Sequence, residues 1–319
     1  MKIISPVDRA AEARDLLAAG ADELYGGYVP SKWRERFGVL ASINQRTFDS
    51  AQIDDYDDLR LVVDACREAG GEFALTLNSP YYSEEQLPFL YDYVAEAVAA
   101  GVTSVILADL GLLQELRKRF PALLYHASTL AHLGNSAAIR FYQRQGIGRV
   151  ILPRHLTLAE MSAIRAEVPD LPCDAFLLVG KCPNTEGYCS FHHSSPDKIW
   201  PCEIPYRIEP LVPPASAMLQ EAMQAQASWS QTNRRHGCGL CAIPHLRRAG
   251  FDGLKLVGRG APSARKLANI TAARRFLELA VEMDDLEAYR KAAIASHRKI
   301  FGVSCNENVC YYPELFEET

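Results

Sequence analysis

Five of the nine cysteines in this 319-residue chain fall within one stretch, at Cys182, Cys189, Cys202, Cys238 and Cys241. Thiolates are soft ligands, and a group of them takes zinc or an iron–sulfur cluster. Nine is an odd number, so complete internal pairing as disulfides is excluded. Spacing separates the metals only in part. Structural zinc sites use close pairs with about two to four residues between the ligands. Cys182 and Cys189 have six residues between them, which is too open for such a knuckle. Cys238-Gly239-Leu240-Cys241 looks like half of a zinc ribbon without its second half. Iron–sulfur clusters accept looser spacing, and the set Cys182, Cys189, Cys202 and Cys238 meets that requirement. On spacing alone, iron–sulfur, zinc and unliganded thiols all stay open.

The elements that must position these cysteines follow a repeated local pattern: a small residue, glycine, a few mixed residues, then an apolar run. It occurs at Ala19-Gly20, Ala100-Gly101, Gln145-Gly146 and Ala249-Gly250. This is what a helix closed by glycine and followed by a buried parallel strand looks like. Eight apolar runs read as strands: Ile3-Ile4, Glu23–Tyr25, Phe73–Leu77, Ser104–Ala108, Leu123–His126, Val150–Leu152, Ala175–Val179 and Gly253–Val257. Helical spacing alternates with most of them, over Asp8–Ala19, Leu59–Ala69, Glu84–Ala100, Gly111–Phe120, Ser136–Gln145 and Leu158–Val168. Such alternation implies a parallel sheet, and eight strands suggest a TIM-like (β/α)8 barrel. An open doubly wound sheet fits the same alternation, but no Gly-x-Gly-x-x-Gly follows the first strand.

Two segments break the rhythm. Gly26–Asp58 is a long insertion after the second strand. Lys181–Cys241 stands where the seventh helix belongs, and holds the cysteines, a proline-rich stretch and a short helix near Ala215–Ala227. Both follow strands, so in a barrel both belong to the C-terminal face, where such enzymes carry their sites. Residues 262–319 form two helices, Ser263–Met283 and Asp285–Phe301, and a tail with Cys305 and Cys310. The chain is expected to be one barrel domain over residues 1–319.

Bulk properties narrow the function. Hydrophobic residues make up 48% of the chain, enough for a large core. A net charge of −5 and a pI near 5.9 give no basic footprint, which argues against nucleic acid as a partner. No apolar run approaches the roughly 20 residues of a membrane span. Pro6 interrupts the start too soon for a signal peptide, so the cytoplasm is the expected location. In that reducing compartment grouped cysteines read as metal ligands or catalytic thiols before disulfides.

Several blocks carry a resemblance. Ile106-Leu107-Ala108-Asp109-Leu110, Arg149-Val150-Ile151-Leu152-Pro153-Arg154, Cys182 to Cys189 around Glu186-Gly187, and Ala249-Gly250-Phe251-Asp252-Gly253-Leu254-Lys255-Leu256-Val257-Gly258-Arg259 resemble the collagenase-like peptidase U family, the thirty-second of its series. Closer in kind are its ubiquinone-biosynthesis members, which hydroxylate without dioxygen; others hydroxylate RNA. The resemblance implies a [4Fe–4S] cluster on Cys182, Cys189, Cys202 and Cys238, with Cys241 as an extra. Two positions depart from the family: Val257 stands where a glutamate is usual, and Leu130 follows Ser128-Thr129 where a glutamine is frequent. The RNA-acting members carry a longer C-terminal region, and the length here is nearer the ubiquinone type, which acts as heterodimers.

Other residues could bind substrate at the barrel mouth. Lys255, Arg259 and Arg154 follow strands and suit an anionic group, against the plainer reading of ion pairs. Tyr25 and Asn78 point to the same face, and His126, with His132, could transfer protons or be structural. His192-His193 could shield the cluster. Asp8, Asp109 and Glu84 are expected to cap helices, and Cys66 and Cys173 to pack the core. Cys305 and Cys310 could join Cys241 in a second metal site or a redox relay. The expected function is iron–sulfur-dependent, dioxygen-independent hydroxylation of a small organic substrate, alone or in a heterodimer with a related iron–sulfur protein. Alternatives are a hydrolase, which lacks a His-Glu-x-x-His or Gly-x-Ser-x-Gly motif here, and a non-catalytic partner subunit.

Overall fold

In the computed structural model, which describes residues 1–38, 42–46, 49–182, 185–188, 211–231 and 236–316, eight parallel strands close into a barrel in chain order. They are β1 (Lys2–Pro6), β2 (Glu23–Gly26), β3 (Glu72–Leu77), β4 (Ser104–Leu107), β5 (Leu124–Ala127), β6 (Arg149–Ile151), β7 (Cys173–Leu178) and β8 (Gly253–Leu256). Closure runs through the β1–β8 register Lys2↔Gly253, Ile3↔Leu254 and Ile4↔Lys255. The (β/α)8 class read from the alternation is therefore the fold observed. The glycines of the repeated pattern explain the turns: Gly20, Gly101, Gly146 and Gly250 all have φ between 79° and 109°, a region where a side chain is strained.

The outer layer contains α1 (Ala10–Ala18), α3 (Tyr56–Glu68), α4 (Leu87–Ala99), α5 (Leu110–Arg119), α6 (Ser136–Gln145) and α7 (Leu158–Glu167), then α10 (Ser263–Glu282) and α11 (Leu286–Phe301). The insertion after β2 carries a helix that spacing did not announce, α2 (Ser31–Phe37), which seats Trp33 at 1% exposure. The connection from β7 to β8 holds α8 (Ala217–Gln231) and ends in a six-residue helix, α9 (Ile243–Arg248), packed beside α7 and α10. Among the described residues no helix is long and apolar enough to cross a membrane.

Charge, not only hydrocarbon, fills the barrel. Arg149 on β6 donates to Glu23 on β2 at 2.6 Å and to Asp174 on β7 at 2.8 Å, with all three side chains at 8% exposure or less. Gly253 leaves room for them: a Cβ there would stand 2.2 Å from Asp174 Oδ1 and 2.8 Å from Arg149 Nη2. Outside the barrel, Lys266 on α10 pairs with Asp8 and Glu12, and Asp8 also accepts from the Gly260 amide at 2.7 Å. Asp8 thus ties the loop after β8 to the end of β1 and does not cap α1, whose cap position is Arg9. Asp109 caps α5 as expected, accepting from the Leu112 amide at 2.7 Å. Cys66 and Cys173 are core residues at 1% and 0% exposure.

The tail past α11 returns to the C-terminal end of β7. Tyr311 and Tyr312 donate to the carbonyls of Gly180 and Phe176 at 3.1 and 2.9 Å. The same tail pairs with residue 238, through Cys238 N–H to Val309 O at 3.1 Å and Tyr311 N–H to Cys238 O at 2.9 Å. The cysteine segment and the tail form one wall at this end of the barrel.

A cationic cavity at the barrel mouth

The C-terminal ends of the strands open on a cavity with about 720 Å³ of empty space, part of it open to solvent. Tyr25, Ile151, Phe176 and Lys255 form its inner surface; Thr76 and Asn78 lie on the β3 side, and Ser128–Leu130 on the β5 side. Gln45 and Arg46 reach it from the insertion, Cys182 and Glu186 from the cysteine loop, and Arg154 and Arg259 from loops after β6 and β8. Of the six substrate-binding candidates, Tyr25, Asn78, Arg154, Lys255 and Arg259 meet here.

His126 does not. It sits deeper, in register with Arg149 on the neighbouring strand. Burial, reinforced by the charges of Arg149 and Lys255, holds its pKa well below the ordinary histidine value. A neutral imidazole inside the barrel stands among the structural charges and away from the mouth. His132 is stacked on His155 with ring centroids 5.3 Å apart and lies 4.2 Å from Tyr188, at the cysteine loop.

Four cations against one carboxylate define the electrostatics. Among the described lining residues Glu186 is the one acid, and it pairs with Arg154. Arg154 also donates to Gly180 O at 2.6 Å and lies 4.3 Å from the centroid of Phe176. Burial opposes its charge, but Glu186, with Tyr311 and Cys182, holds the guanidinium above its ordinary range. Arg259 donates to Thr76 Oγ1 at 3.2 Å and Asn44 O at 2.5 Å. Burial lowers the pKa of Arg259, and burial together with the nearby Arg259 charge lowers that of Arg46 to about 9. Two buried guanidiniums facing one cavity, each made less easily charged by its burial, make that cavity favourable to an anion.

Lys255 stands 3.9 Å from the centroid of Tyr25, whose hydroxyl donates to Leu256 O at 2.7 Å. Burial brings its pKa down to about 8, with Asp174 and Glu23 below it limiting the fall. Polar atoms await partners too: Asn78 Oδ1 and Thr129 Oγ1 are buried without a hydrogen bond. A ligand with an anionic group and hydrogen-bonding edges would satisfy both sets. Gln45 and Arg46 escaped sequence reasoning, because position in an insertion gives no face, and Thr129, just past β5, was named only as part of a motif. The insertion carries Arg34, Arg36 and Arg46, the one signal in its sequence that could have pointed to the cavity.

Of the implied cluster ligands, Cys182 lines the cavity and Cys238 is buried at 5% exposure. Cys189, Cys202, His192 and His193 lie outside the described residues. The two placed thiols come from adjoining backbone: a Cβ on Gly237 would stand 2.7 Å from the Lys181 nitrogen. Soft donors next to a guanidinium suit an anionic iron–sulfur cluster, so the donors present fit the group, although among the described residues no three His, Cys, Asp or Glu side chains are grouped as a metal site.

Comparison with known proteins bears on the whole arrangement. The tRNA hydroxylation protein P of Escherichia coli (strain K12) is 28% identical over 188 residues, covering 59% of this chain and 38% of that protein. A 23S rRNA 5-hydroxycytidine synthase of the same organism is 24% identical over 216 residues, covering 66% of this chain and 30% of its own. The chain thus spans well under half the length of either relative. A solved structure, the U32 peptidase Mk0906, superimposes with a TM-score of 0.51 at 14% identity, covering 82% of this chain and 94% of that one, and agrees in fold.

These relatives overturn one expectation. A small-molecule substrate, with nucleic acid argued against, was read from the net charge and chain length; relatives named for tRNA and rRNA hydroxylation contradict it. Net charge averages over the surface, and here four cations meet a single carboxylate in one cavity. The model of peptidase family U32 matches residues 8–313, and the chain belongs to that family.

Proposed function

We propose that this chain takes part in hydroxylating an RNA base, at the barrel mouth and beside an iron–sulfur cluster held by the cysteine loop. The observation that carries the reading is the convergence of Arg46, Arg154, Lys255 and Arg259 with Cys182 on one cavity. The RNA-modifying relatives support the substrate class.

Arg259 and Arg46 would take the phosphate or another anionic group, and Lys255 would add charge while protonated. Asn78 Oδ1 and Thr129 Oγ1 would meet a base edge, the first as an acceptor and the second as a donor or acceptor. Cys182, Cys189 and Cys202 would hold the cluster from the loop, with Cys238 as the fourth ligand that the resemblance implies. When bound, a [4Fe–4S] cluster supplies electron transfer or a Lewis-acidic iron. The chain itself orients the base against Phe176 and excludes water. A thiol hydrolase has less support: the described lining residues include no histidine beside Cys182.

The test compares tRNA and rRNA from the native host with and without the gene, grown without air and digested to nucleosides for mass spectrometry. One nucleoside heavier by an oxygen atom should vanish with the gene and return with the wild-type chain, but not with Cys182→Ser. Identical nucleoside profiles would overturn the reading.

A further inference from the structure

Three aromatic rings from three separate segments stand in a column at the edge of the cavity. His132 is the middle ring: it stacks on His155, with centroids 5.3 Å and planes 24° apart, and meets Tyr188 at 4.2 Å. Each ring follows closely on residues that line the cavity: His132 on Thr129 and Leu130, His155 on Arg154, and Tyr188 on Glu186. The column is open at its ends, for Tyr188 is 76% exposed and His155 is exposed as well. We infer that this column is a stacking platform, and that Tyr188 receives the RNA base next to the one drawn into the cavity. The inference rests on the RNA reading given above and adds to it the residue that grips the flanking nucleotide.

Local structure builds the column. His132 closes the short turn Thr129–Ala131 at φ 54°, a left-handed value that few residues other than glycine adopt, and its N–H donates to Thr129 O at 3.1 Å. Gly187 lets the cysteine loop lie against it, because a Cβ there would stand 2.3 Å from His132 Cβ. The Arg154–Glu186 ion pair joins the loop after β6, which carries His155, to the turn Glu186–Tyr188. A tyrosine kept for packing would be covered, and this one is not. Drawing a base into a cavity breaks its stack with its neighbour. An aromatic face beside the opening replaces that lost partner, and does so for any base, since every base has a π-face. Arg154 links the two positions: its guanidinium lies 4.3 Å from the centroid of Phe176 inside the cavity, and His155 follows it in the chain. A peptide offers no regular series of ring faces, whereas a single RNA strand offers one per nucleotide.

The experiment is fluorescence anisotropy of the full chain, purified without air, with two labelled probes. One is an oligoadenylate of about nine nucleotides, within the site sizes of single-strand binders; the other is a ribose-phosphate chain of the same length without bases. Tyr188→Ala should weaken oligoadenylate binding about tenfold, Tyr188→Phe should keep wild-type affinity, and the abasic chain should bind all three proteins alike. The dependence of affinity on salt should not change in Tyr188→Ala, because no phosphate contact is lost. Phe141→Ala, which removes an exposed ring on α6, should have no effect. Tyr188 adjoins Cys189, so iron is measured in every variant; should Tyr188→Ala lose iron, His155→Ala, on a loop without cysteines, decides in its place by weakening oligoadenylate alone. Tyr188→Ala that keeps its iron and binds oligoadenylate as tightly as the wild type would overturn the platform and leave the RNA reading standing, as would a loss that extends equally to the abasic chain. Wild type that ignores oligoadenylate and binds an acidic peptide of equal charge would also overturn the platform, and the nucleoside comparison then decides the RNA reading separately.

Discussion

Arg149 reaches from β6 to Glu23 on β2, across the full barrel, with 2.6 Å between nitrogen and oxygen. Its other nitrogen holds Asp174 at 2.8 Å. One guanidinium therefore neutralises two carboxylates that have no access to water. Removing it strands both. Arg149→Met is expected to cost about 3–5 kcal/mol of stability, the usual result of leaving buried charge unpaired. Thermal unfolding compared with the wild type checks this, and an unchanged midpoint would show that the layer carries little energy.

Gly253 is the steric counterpart of that layer. Gly253→Ala would drive a methyl group against Asp174 Oδ1, Ile4 Cδ1 and Arg149 Nη2, all within 2.8 Å of the new carbon. Overpacking of this kind costs about 1–3 kcal/mol. Denaturant titration should show that loss, whereas Gly134→Ala, with nothing near its added carbon, should stay within about 0.5 kcal/mol.

Lys255 makes the cavity sensitive to pH. Its folded pKa of about 8 lies below the ordinary lysine value, so the folded chain binds fewer protons than the unfolded chain between the two. Burying this group costs stability at neutral pH, and the cost is relieved as pH rises from about 8 towards the ordinary value. Anion binding moves the other way: affinity for a short RNA should fall as pH rises through about 8. Lys255→Gln should weaken binding at pH 7 and flatten this profile, read by fluorescence anisotropy at fixed salt.

Cys182 and Cys66 separate ligand from packing. Protein purified without air should be brown, with iron and sulfide each near about four per chain for one [4Fe–4S] cluster. Cys182→Ser should bleach it and Cys66→Ser should not, because Cys66 is a core thiol at 1% exposure. Equal effects in an absorption spectrum would count against the loop as cluster holder.

Legibility followed physical periodicity. The strands and most outer helices were readable because burial imposes spacing on Val, Ile and Leu, and because Gly20, Gly101, Gly146 and Gly250 mark turns that other residues resist. Tyr25, Asn78, Arg154, Lys255 and Arg259 were readable because residues at strand ends inherit a known face of the barrel. His126 looked equivalent, but it ends up one step below the mouth, a depth that depends on strand register. Arg46 and Gln45 come from an insertion whose path depends on tertiary contacts such as Arg259 Nη2 to Asn44 O at 2.5 Å. The nearness of Cys310 to Cys238 was equally hidden, since seventy-one intervening residues leave no trace of it in spacing.

The clasp of Tyr311 and Tyr312 on the end of β7 sets an order of assembly. As the chain leaves the ribosome, all eight strands are available once Leu256 has emerged, and the barrel can close. The wall beside Gly180 cannot, because its last pieces are made only after α10 and α11. For that interval the nascent barrel has a mouth without its finished rim. Completion of the rim therefore comes last, after folding of the scaffold, and a ribosome-stalled chain ending before Cys305 should fold as a barrel yet lack the completed wall.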